Sequence, residues 1–328
     1  MPFQVVSVNN AGTFGVVVQV VDETNPRNTL GLKVLNKDFL TDQRVLKRTR
    51  DEARLLAELT HPNIIQVYGL ADYEGCPVIE MEWVNGITLQ QVIQRWSDGL
   101  PPAIAFDITR TICSALEFAY THPIPETGNP MRVMHRDLKP TNIMVSETGV
   151  VKIIDFGLAY GDFQNRESIT TSMVLGTRRY LAPERLDGQD DSAKGDMYSI
   201  GIMLMEMLIG KALQLSLNPS QHQERLLMAL GYLPKTDLPH VARKRLKKLI
   251  SAMVAYEPEH RLGYRAVVKE LGAIMAVSQL TPNLNGFARA YVAPCLQQPP
   301  LPARQHPLYT EVKFLEGMNP KFDRSTQS

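Results

Sequence analysis

The fold is decided by residues 135–142, which read HRDLKPTN. Eighteen positions after Asp137 stands Asp155, the first residue of the string DFG at residues 155–157. A third string, APE, follows at residues 182–184. A lone aspartate in a loop is usually a turn or capping residue, so each string alone would carry little weight. Three independent strings in one fixed order carry much more.

In this order the strings resemble those of the eukaryotic-type (Hanks-type) Ser/Thr protein kinase family, over residues 5 to about 275. The resemblance implies an α+β, bilobal protein-kinase fold with a small β-rich N-lobe and a larger helical C-lobe. It also implies an enzyme that transfers the γ-phosphoryl group of ATP to Ser/Thr hydroxyls of a protein substrate, with Mg²⁺ or alternatively Mn²⁺. Lys139 and Thr177 favour Ser/Thr over Tyr as the acceptor.

Within the family's catalytic loop, the resemblance assigns a chemical role to each polar residue. Asp137 is expected to accept or orient the proton of the substrate hydroxyl, and Lys139 to neutralise charge on the moving phosphoryl group. Asn142 and Asp155 are the expected metal ligands, because Mg²⁺ prefers carboxylate or amide oxygens together with phosphate oxygens.

Further upstream, Lys33 in the string GLKV at residues 31–34 matches the family's strand lysine. Glu52, nineteen residues later on a predicted helix, matches its ion-pair partner. The pair would place Lys33 on the α- and β-phosphates. Gly31 stands where the family usually has alanine against the adenine, so we expect slightly weaker nucleotide binding or a different packing there.

The expected phosphate-binding loop, NAGTFGVV at residues 10–17, departs from the family pattern GxGxxGxV at its first glycine, which is Asn10. Asparagine tolerates positive φ better than other non-glycine residues, so we expect the turn to survive. Glu82 and Val84 would bind adenine through their backbones, with Met81 as gatekeeper and Thr88 at the ribose. The full set expected to contact the nucleotide is Asn10, Gly12, Gly15, Val17, Lys33, Glu82, Val84, Thr88 and Met144.

The segment from Asp155 to Glu184 resembles an activation segment. Arg136, beside Asp137, marks the class of kinases that is regulated by phosphorylation in this segment. The resemblance therefore implies that this protein is itself a phosphoprotein. The candidate hydroxyls are Ser168, Thr170, Thr171 and Ser172, with the two threonines favoured. Most of the four are expected to be merely solvated.

Three further matches are expected to be structural. Asp196 should hold the backbone of the catalytic loop, and Glu184 should pair with Arg261. Four apolar or aromatic side chains should stack as a spine between the lobes, namely Leu56, Val67, His135 and Phe156.

Composition and charge narrow the class of protein. The chain has 328 residues, and its 35 Lys and Arg against 34 Asp and Glu give a net charge of +1. This near balance argues against a nucleic-acid binder or a polybasic membrane module, and the basic run at residues 243–248 is interpreted as a solvated helix face. Three scattered cysteines, no signal peptide and no membrane-spanning apolar run predict a soluble cytoplasmic protein.

Patterning along the chain predicts three regions: an N-lobe at residues 1–84, a C-lobe at 85–278 and a proline-containing, extended tail at 279–328 that is ordered only where it docks. In the tail, the PxxPxR match at residues 299–304 is interpreted as a chance match, not as a ligand for a proline-binding domain. The family leaves open a dimer that autophosphorylates in trans. Predicted strands cover residues 16–21, 30–35, 64–68 and 78–83, and predicted helices cover 44–59, 103–120, 196–209, 223–230, 241–255 and 264–277.

Two other functions compete with this interpretation. Asn10 and Gly31 are the only support for a pseudokinase that senses nucleotide and acts as a scaffold. A small-molecule phosphotransferase of kinase-like fold would share the catalytic loop, but such enzymes generally lack the segment that ends in Ala182-Pro183-Glu184.

Overall fold

The computed structural model describes residues 3–10, 15–23, 25–35, 47, 50, 53–73, 76–124, 127–156, 179–186, 192–233, 238–296, 312 and 315. The chain divides into two compact units, residues 1–85 together with 296–328, and residues 86–295. Each unit is described by itself. Within the described ranges, no helix combines the length and the apolar character needed to cross a bilayer.

The first unit is built on a five-stranded antiparallel sheet with the strand order β1-β2-β3-β5-β4. Its strands are β1 (Phe3–Asn10), β2 (Gly15–Asp22), β3 (Asn25–Leu35), β4 (Val67–Tyr73) and β5 (Cys76–Glu82). The predicted strand at 64–68 begins three residues later and extends further than expected. Of the predicted helix at 44–59, the described residues 47, 50 and 53–57 are helical.

The two faces of this sheet differ in burial. Along β2 the buried positions alternate with half-exposed ones, so Val16, Val18 and Val20 point into the core. The cross-strand partner of Val17 is Lys33, on the half-exposed face. Successive side chains of a strand point to opposite faces, so one face packs into the core and the other presents Val17 and Lys33.

The strand pairing is irregular at residues 25–28, the segment that the sequence marked as a break. The pairing of β2 with β3 jumps from Val21–Thr29 to Asp22–Asn25, which leaves residues 26–28 without a register partner on β2. Proline has no N–H to donate to a ladder, so a stretch without register partners is where Pro26 is tolerated. The break is therefore a local irregularity inside β3.

The second unit is mainly helical. Its longer helices are α1 (Leu89–Gln94), α2 (Pro102–Thr121), α4 (Ala193–Ile209), α5 (Pro219–Gly231), α6 (His240–Met253) and α7 (Tyr264–Val277), with a short α3 (Pro183–Leu186) between α2 and α4. A small sheet joins β6 (Gly86–Thr88), β7 (Ile143–Ser146) and β8 (Val151–Ile153). The helices predicted in this unit are all present, and that at 264–277 has the predicted bounds.

Helix α4 forms the centre of this unit, and every residue from Gly195 to Ile209 is buried. Ser192 caps its start by accepting the N–H of Lys194, and Gly210 ends it in the left-handed conformation. A helix that is apolar on all sides belongs in a core, so its few polar residues need partners inside the protein. Asp196 and Glu206 are two of these residues.

The expectation of an extended tail from residue 279 is wrong for its first part. Residues Leu284–Tyr291 form helix α8, which Asn283 caps, and Ala293–Leu296 form helix α9. Phe287 is buried and its ring lies 4.9 Å from that of Trp96. Pro294 is the second residue of α9, a position where the missing N–H costs no helical hydrogen bond.

Candidate active site

The catalytic loop lies in the second unit, directly before β7. Residues Pro140–Asn142 form one 3₁₀ turn that leads into β7, and Asp155 lies two residues after the end of β8. The N–H of Ile154 donates to the carbonyl oxygen of Asn142 at 2.9 Å. The β7–β8 hairpin therefore brings the start of β7 and the end of β8 together, which places Asn142 and Asp155 at one end of the small sheet.

Asp137 is held from two sides. The Nζ atom of Lys139 lies 2.7 Å from Oδ2 of Asp137, and Nδ2 of Asn142 donates to the same oxygen at 3.2 Å and to the Asp137 carbonyl at 2.9 Å. Both side chains thus engage Oδ2, so Oδ1 is the carboxylate oxygen that these contacts do not use. Asn142 turns its Nδ2 towards Asp137, and its Oδ1 accepts the Thr141 hydroxyl at a long 3.4 Å.

The backbone is strained at two points of the site, one in the catalytic loop and one after β8. Arg136 and Asp155 both have positive φ, 67° and 53° respectively. This region is uncommon for residues other than glycine, and such strain persists only where surrounding contacts enforce it. Arg136 is adjacent to the predicted base Asp137, and Asp155 is itself a predicted metal ligand.

The contact that enforces the conformation at Arg136 comes from helix α4. Asp196, which is fully buried, accepts the backbone N–H of His135 at 2.7 Å and that of Arg136 at 2.9 Å through its two oxygens. The prediction that Asp196 holds the catalytic loop is therefore confirmed.

Sequence reasoning missed the cation that stabilises Asp196. Arg185 lies directly after the APE string, and its Nη1 lies 2.8 Å from Oδ1 of Asp196. Its guanidinium also donates to the carbonyl oxygens of Ser192 at 3.0 Å and Arg136 at 3.4 Å. This guanidinium packs against Gly195, where a Cβ atom would collide with it. The only signal in the sequence is a basic residue after APE, ten residues before a glycine.

His135 packs inside the same unit as a neutral ring. Its Nε2 lies 2.9 Å from the carbonyl oxygen of Ile154, and its ring centroid is 4.7 Å from that of Phe156. Its Nδ1 accepts the N–H of Asp137 at 3.3 Å, so Nε2 is the protonated nitrogen. Burial lowers the pKa of His135. The predicted stack of His135 on Phe156 is confirmed, and Leu56 and Val67 are buried in the first unit.

The predicted nucleotide residues of the first unit lie on two of its strands and the chain that follows β5. Gly15 begins β2, Val17 and Lys33 are register partners, and Asn10 ends β1. At Glu82 the backbone N–H donates to the Gln66 carbonyl at 2.9 Å, so adenine can be bound there only through the carbonyl oxygen. Val84, two residues on, is buried.

Gly31 has a specific packing role beside the predicted gatekeeper. A Cβ atom at Gly31 would lie 3.3 Å from Cγ and 3.4 Å from Cε of Met81, and 3.3 Å from the Glu82 carbonyl oxygen. These distances are tighter than ordinary van der Waals contact. A methyl group at position 31 would therefore press on Met81 and on the Glu82 carbonyl, so one of these neighbours would have to shift by a few tenths of an ångström to accept it.

Thr88 and Met144 are brought together, because they are register partners on β6 and β7. Thr88 also caps helix α1, where its Oγ1 accepts the Gln91 N–H at 3.2 Å and the Gln91 side chain accepts the Thr88 N–H. A role for Thr88 at the ribose would thus be added to a capping role.

Some predicted residues lie outside the described part of the chain. These are Gly12, Glu52, Thr177 and the four activation-segment hydroxyls, Ser168, Thr170, Thr171 and Ser172.

The predicted pair of Glu184 and Arg261 is confirmed as a bidentate contact, with N–O distances of 2.6 and 2.8 Å. Arg261 is fully buried in this pair.

Comparison with known proteins agrees with this geometry. The protein kinase domain family matches residues 6–271. The serine/threonine-protein kinase PknB of Mycobacterium tuberculosis is 32% identical over 242 residues, which cover 71% of this chain and 36% of PknB. The serine/threonine-protein kinase PrkC of Bacillus subtilis is 30% identical over 266 residues, which cover 79% of this chain and 38% of PrkC.

Solved structures show the same fold. The kinase domain of Mycobacterium tuberculosis PknI superposes with a TM-score of 0.61 at 23% identity, over 83% of this chain and 96% of that domain. The chain spans less than two fifths of the length of PknB and PrkC. Because the family match covers most of its residues, the chain belongs to the protein kinase domain family.

Proposed function

We propose that this protein is a Ser/Thr protein kinase that transfers the γ-phosphoryl group of ATP to hydroxyls of a protein substrate. One observation carries the proposal: the Asp137 carboxylate is fixed through Oδ2 by Lys139 and Asn142, on a loop anchored to the buried Asp196. A base that is held through one oxygen presents the other in a fixed direction, which is what orientation of a hydroxyl requires. The similarity to PknB and PrkC, both named serine/threonine-protein kinases, supports Ser and Thr hydroxyls as the acceptors.

In the proposed reaction, Oδ1 of Asp137 accepts a hydrogen bond from the substrate hydroxyl and takes its proton as transfer proceeds. The hydroxyl oxygen forms a bond to the γ-phosphorus while the bond from that phosphorus to the β–γ bridging oxygen breaks, and ADP leaves with that oxygen. Lys139, whose side chain is 23% exposed, supplies positive charge beside the carboxylate as negative charge redistributes.

We propose Asn142 and Asp155 as the residues that would hold Mg²⁺, or Mn²⁺ in its place. The donor set fits, because one carboxylate and one amide oxygen are hard ligands of the kind that Mg²⁺ combines with phosphate oxygens. When bound, the ion neutralises charge on the β- and γ-phosphates. Lys33 and Glu52 are proposed as the family's ion pair on the α- and β-phosphates.

We propose further that phosphorylation of the activation segment regulates the enzyme, through pairing of the added phosphate with Arg136. A dimer that autophosphorylates in trans and a cytoplasmic location complete the proposal. Mass spectrometry of the protein after incubation with ATP would test phosphorylation of the activation segment, for which we expect phosphate on Thr170 or Thr171.

Substitution of the proposed base tests the proposed function. We expect Asp137→Asn to lower kcat for phosphorylation of a protein substrate by about 10²–10⁴-fold, the usual contribution of a general base. Asp98→Asn makes the same chemical change at an exposed position of the second unit and should leave kcat unchanged. Equal activity of Asp137→Asn and wild type would refute the mechanism.

The same assay separates the two competing functions. A scaffold pseudokinase would transfer no label from γ-labelled ATP, even as wild type. A small-molecule phosphotransferase would consume ATP with a small alcohol acceptor and leave protein hydroxyls unlabelled. Transfer to protein by the wild type and not by Asp137→Asn therefore selects the proposed function.

A further inference from the structure

The end of the chain contributes two residues to the core of the first unit. Val312 and Leu315 are both fully buried, in one apolar cluster with the inward face of the sheet. The other members of this cluster are Phe3, Val5, Val8, Val16, Val18, Val20, Leu30, Leu32, Val34, Ala71, Tyr73 and Val78. Residues more than 230 positions away in sequence thus complete a core made by the N-terminal strands.

The face that these two residues cover lies behind the proposed nucleotide residues. On β2, Val16 and Val18 flank Val17, and on β3, Leu32 and Val34 flank Lys33. Val18 is the register partner of Leu32, and both side chains are fully buried in the cluster. Because alternate side chains point to opposite faces, packing on one side of these strands also sets the position of Val17 and Lys33 on the other.

The local sequence suits a segment that docks through one side. Val312 and Leu315 are three positions apart, the spacing that places two side chains on one face of a helical turn. Lys313 and Phe314 lie between them, and the charged residues Glu311 and Glu316 flank them. The residues between Leu296 and Val312 include Pro299, Pro300, Pro302 and Pro307, a composition typical of a connecting segment and not of a core element.

We propose that the segment carrying Val312 and Leu315 is an intramolecular docking element, and that nucleotide binding by β1–β3 depends on its packing against the sheet. This goes beyond the proposed function, although the dependence of nucleotide binding rests on it. In this proposal, the segment of this chain that carries Val312 and Leu315 is what covers the apolar face of the sheet.

Docking itself is tested by the reactivity of engineered thiols in the full chain. Cys76 and Cys295, which are partly exposed, are replaced by serine, and the buried Cys113 is kept. A thiol reagent should label Val312→Cys at least about tenfold more slowly than Val241→Cys, whose position is 60% exposed, because reaction at 312 requires local opening. Equal labelling rates would overturn the proposal, whether or not the protein is an active kinase.

The functional consequence is tested with paired charge substitutions. Val312→Asp with Leu315→Asp should lower the melting temperature of the protein by at least about 5 °C, since burial of two carboxyl groups in this cluster is unfavourable. Affinity for a non-hydrolysable ATP analogue should fall by about fivefold or more, the lower end of ordinary coupling between sites. Val241→Asp with Leu227→Asp makes the same changes at exposed positions and should alter neither quantity.

A milder pair guards against loss of folding. Val312→Ala with Leu315→Ala removes apolar volume without introducing charge, and it should weaken binding of the ATP analogue in the same direction. If this folded variant binds the analogue as tightly as wild type does, the proposed dependence is wrong. Because analogue binding needs no phosphoryl transfer, this result is independent of the test of Asp137.

Discussion

A methyl group added at Gly195 is expected to disconnect the catalytic loop from helix α4. The Cβ atom would lie closer than 3.0 Å to Nε, Cζ and Nη2 of Arg185, so the guanidinium must move. The same guanidinium is 2.8 Å from Asp196, which holds the N–H groups of His135 and Arg136. Arg185 is 7% exposed and Asp196 is fully buried, so water cannot replace the lost contact.

The magnitude follows from two opposing effects. Removal of one partner from a buried ion pair costs about 3–5 kcal/mol, because the other charge stays buried. Replacement of glycine by alanine inside a helix stabilises by about 1 kcal/mol. The net loss of about 2–4 kcal/mol corresponds to a fall in melting temperature of roughly 4–16 °C for a unit of this size. Misplacement of the catalytic loop should also lower kcat, by about 10²-fold if Asp137 shifts by about 1 Å.

Thermal melting and steady-state kinetics of Gly195→Ala measure both effects, with Gly272→Ala as the matched control. Gly272 also lies within a helix, α7, but has no atom within 4 Å of its Cβ position. Its substitution should therefore be neutral or stabilising, with unchanged kcat. If Gly195→Ala melts at or above the wild-type temperature with wild-type kcat, then Arg185 does not position the loop through Asp196.

Two further predictions concern buried charges of the second unit. Arg261→Met should destabilise the protein by about 3–5 kcal/mol because Glu184 loses a fully buried partner. Arg245→Met removes a bidentate partner of Glu270 from a pair that is about one third exposed, so it should change the free energy of unfolding in urea far less. Similar costs for the two substitutions would contradict this. Burial raises the pKa of Glu206 above its usual 4.5, so the native state binds the proton of this group more tightly than the unfolded state does. The contribution of Glu206 to the free energy of unfolding is therefore lost as pH rises from 4.5 through the raised pKa. The unfolding free energy of wild type relative to Glu206→Gln should therefore decrease over that range, and a difference independent of pH would be incompatible with this reasoning.

Much of the fold and part of the site could be predicted, because motif order and side-chain periodicity are properties of the sequence. The pair of Glu184 with Arg261 and the role of Asp196 followed from matched positions, and both are present. Helix α7 has its predicted bounds because its apolar residues recur at helical spacing up to Val277. The start of α8 was missed because prolines later in the tail masked a helix that Asn283 caps and Phe287 anchors.

The role of Arg185 could not be predicted, because it depends on the approach of two segments in space. A basic residue in the last turn of a short helix is usually solvated, and nothing in the local pattern shows that Gly195 leaves room for the Arg185 guanidinium. Gly31 is similar: its sequence context marks a departure from the family, but only the structure shows that a methyl group there would come into tight contact with Met81.

The sequence of β2 also indicates that the face carrying Val16, Val18 and Val20 is covered, as it is by Val312 and Leu315. Residues 16–21 read VVVQVV, so apolar residues occur on both sides of the strand. A strand that is apolar on both faces is one that is covered on both faces, whereas a half-exposed strand alternates. The proposed nucleotide site accounts for the side that carries Val17. The valines on the opposite side therefore required a second covering element, which the structure finds in Val312 and Leu315.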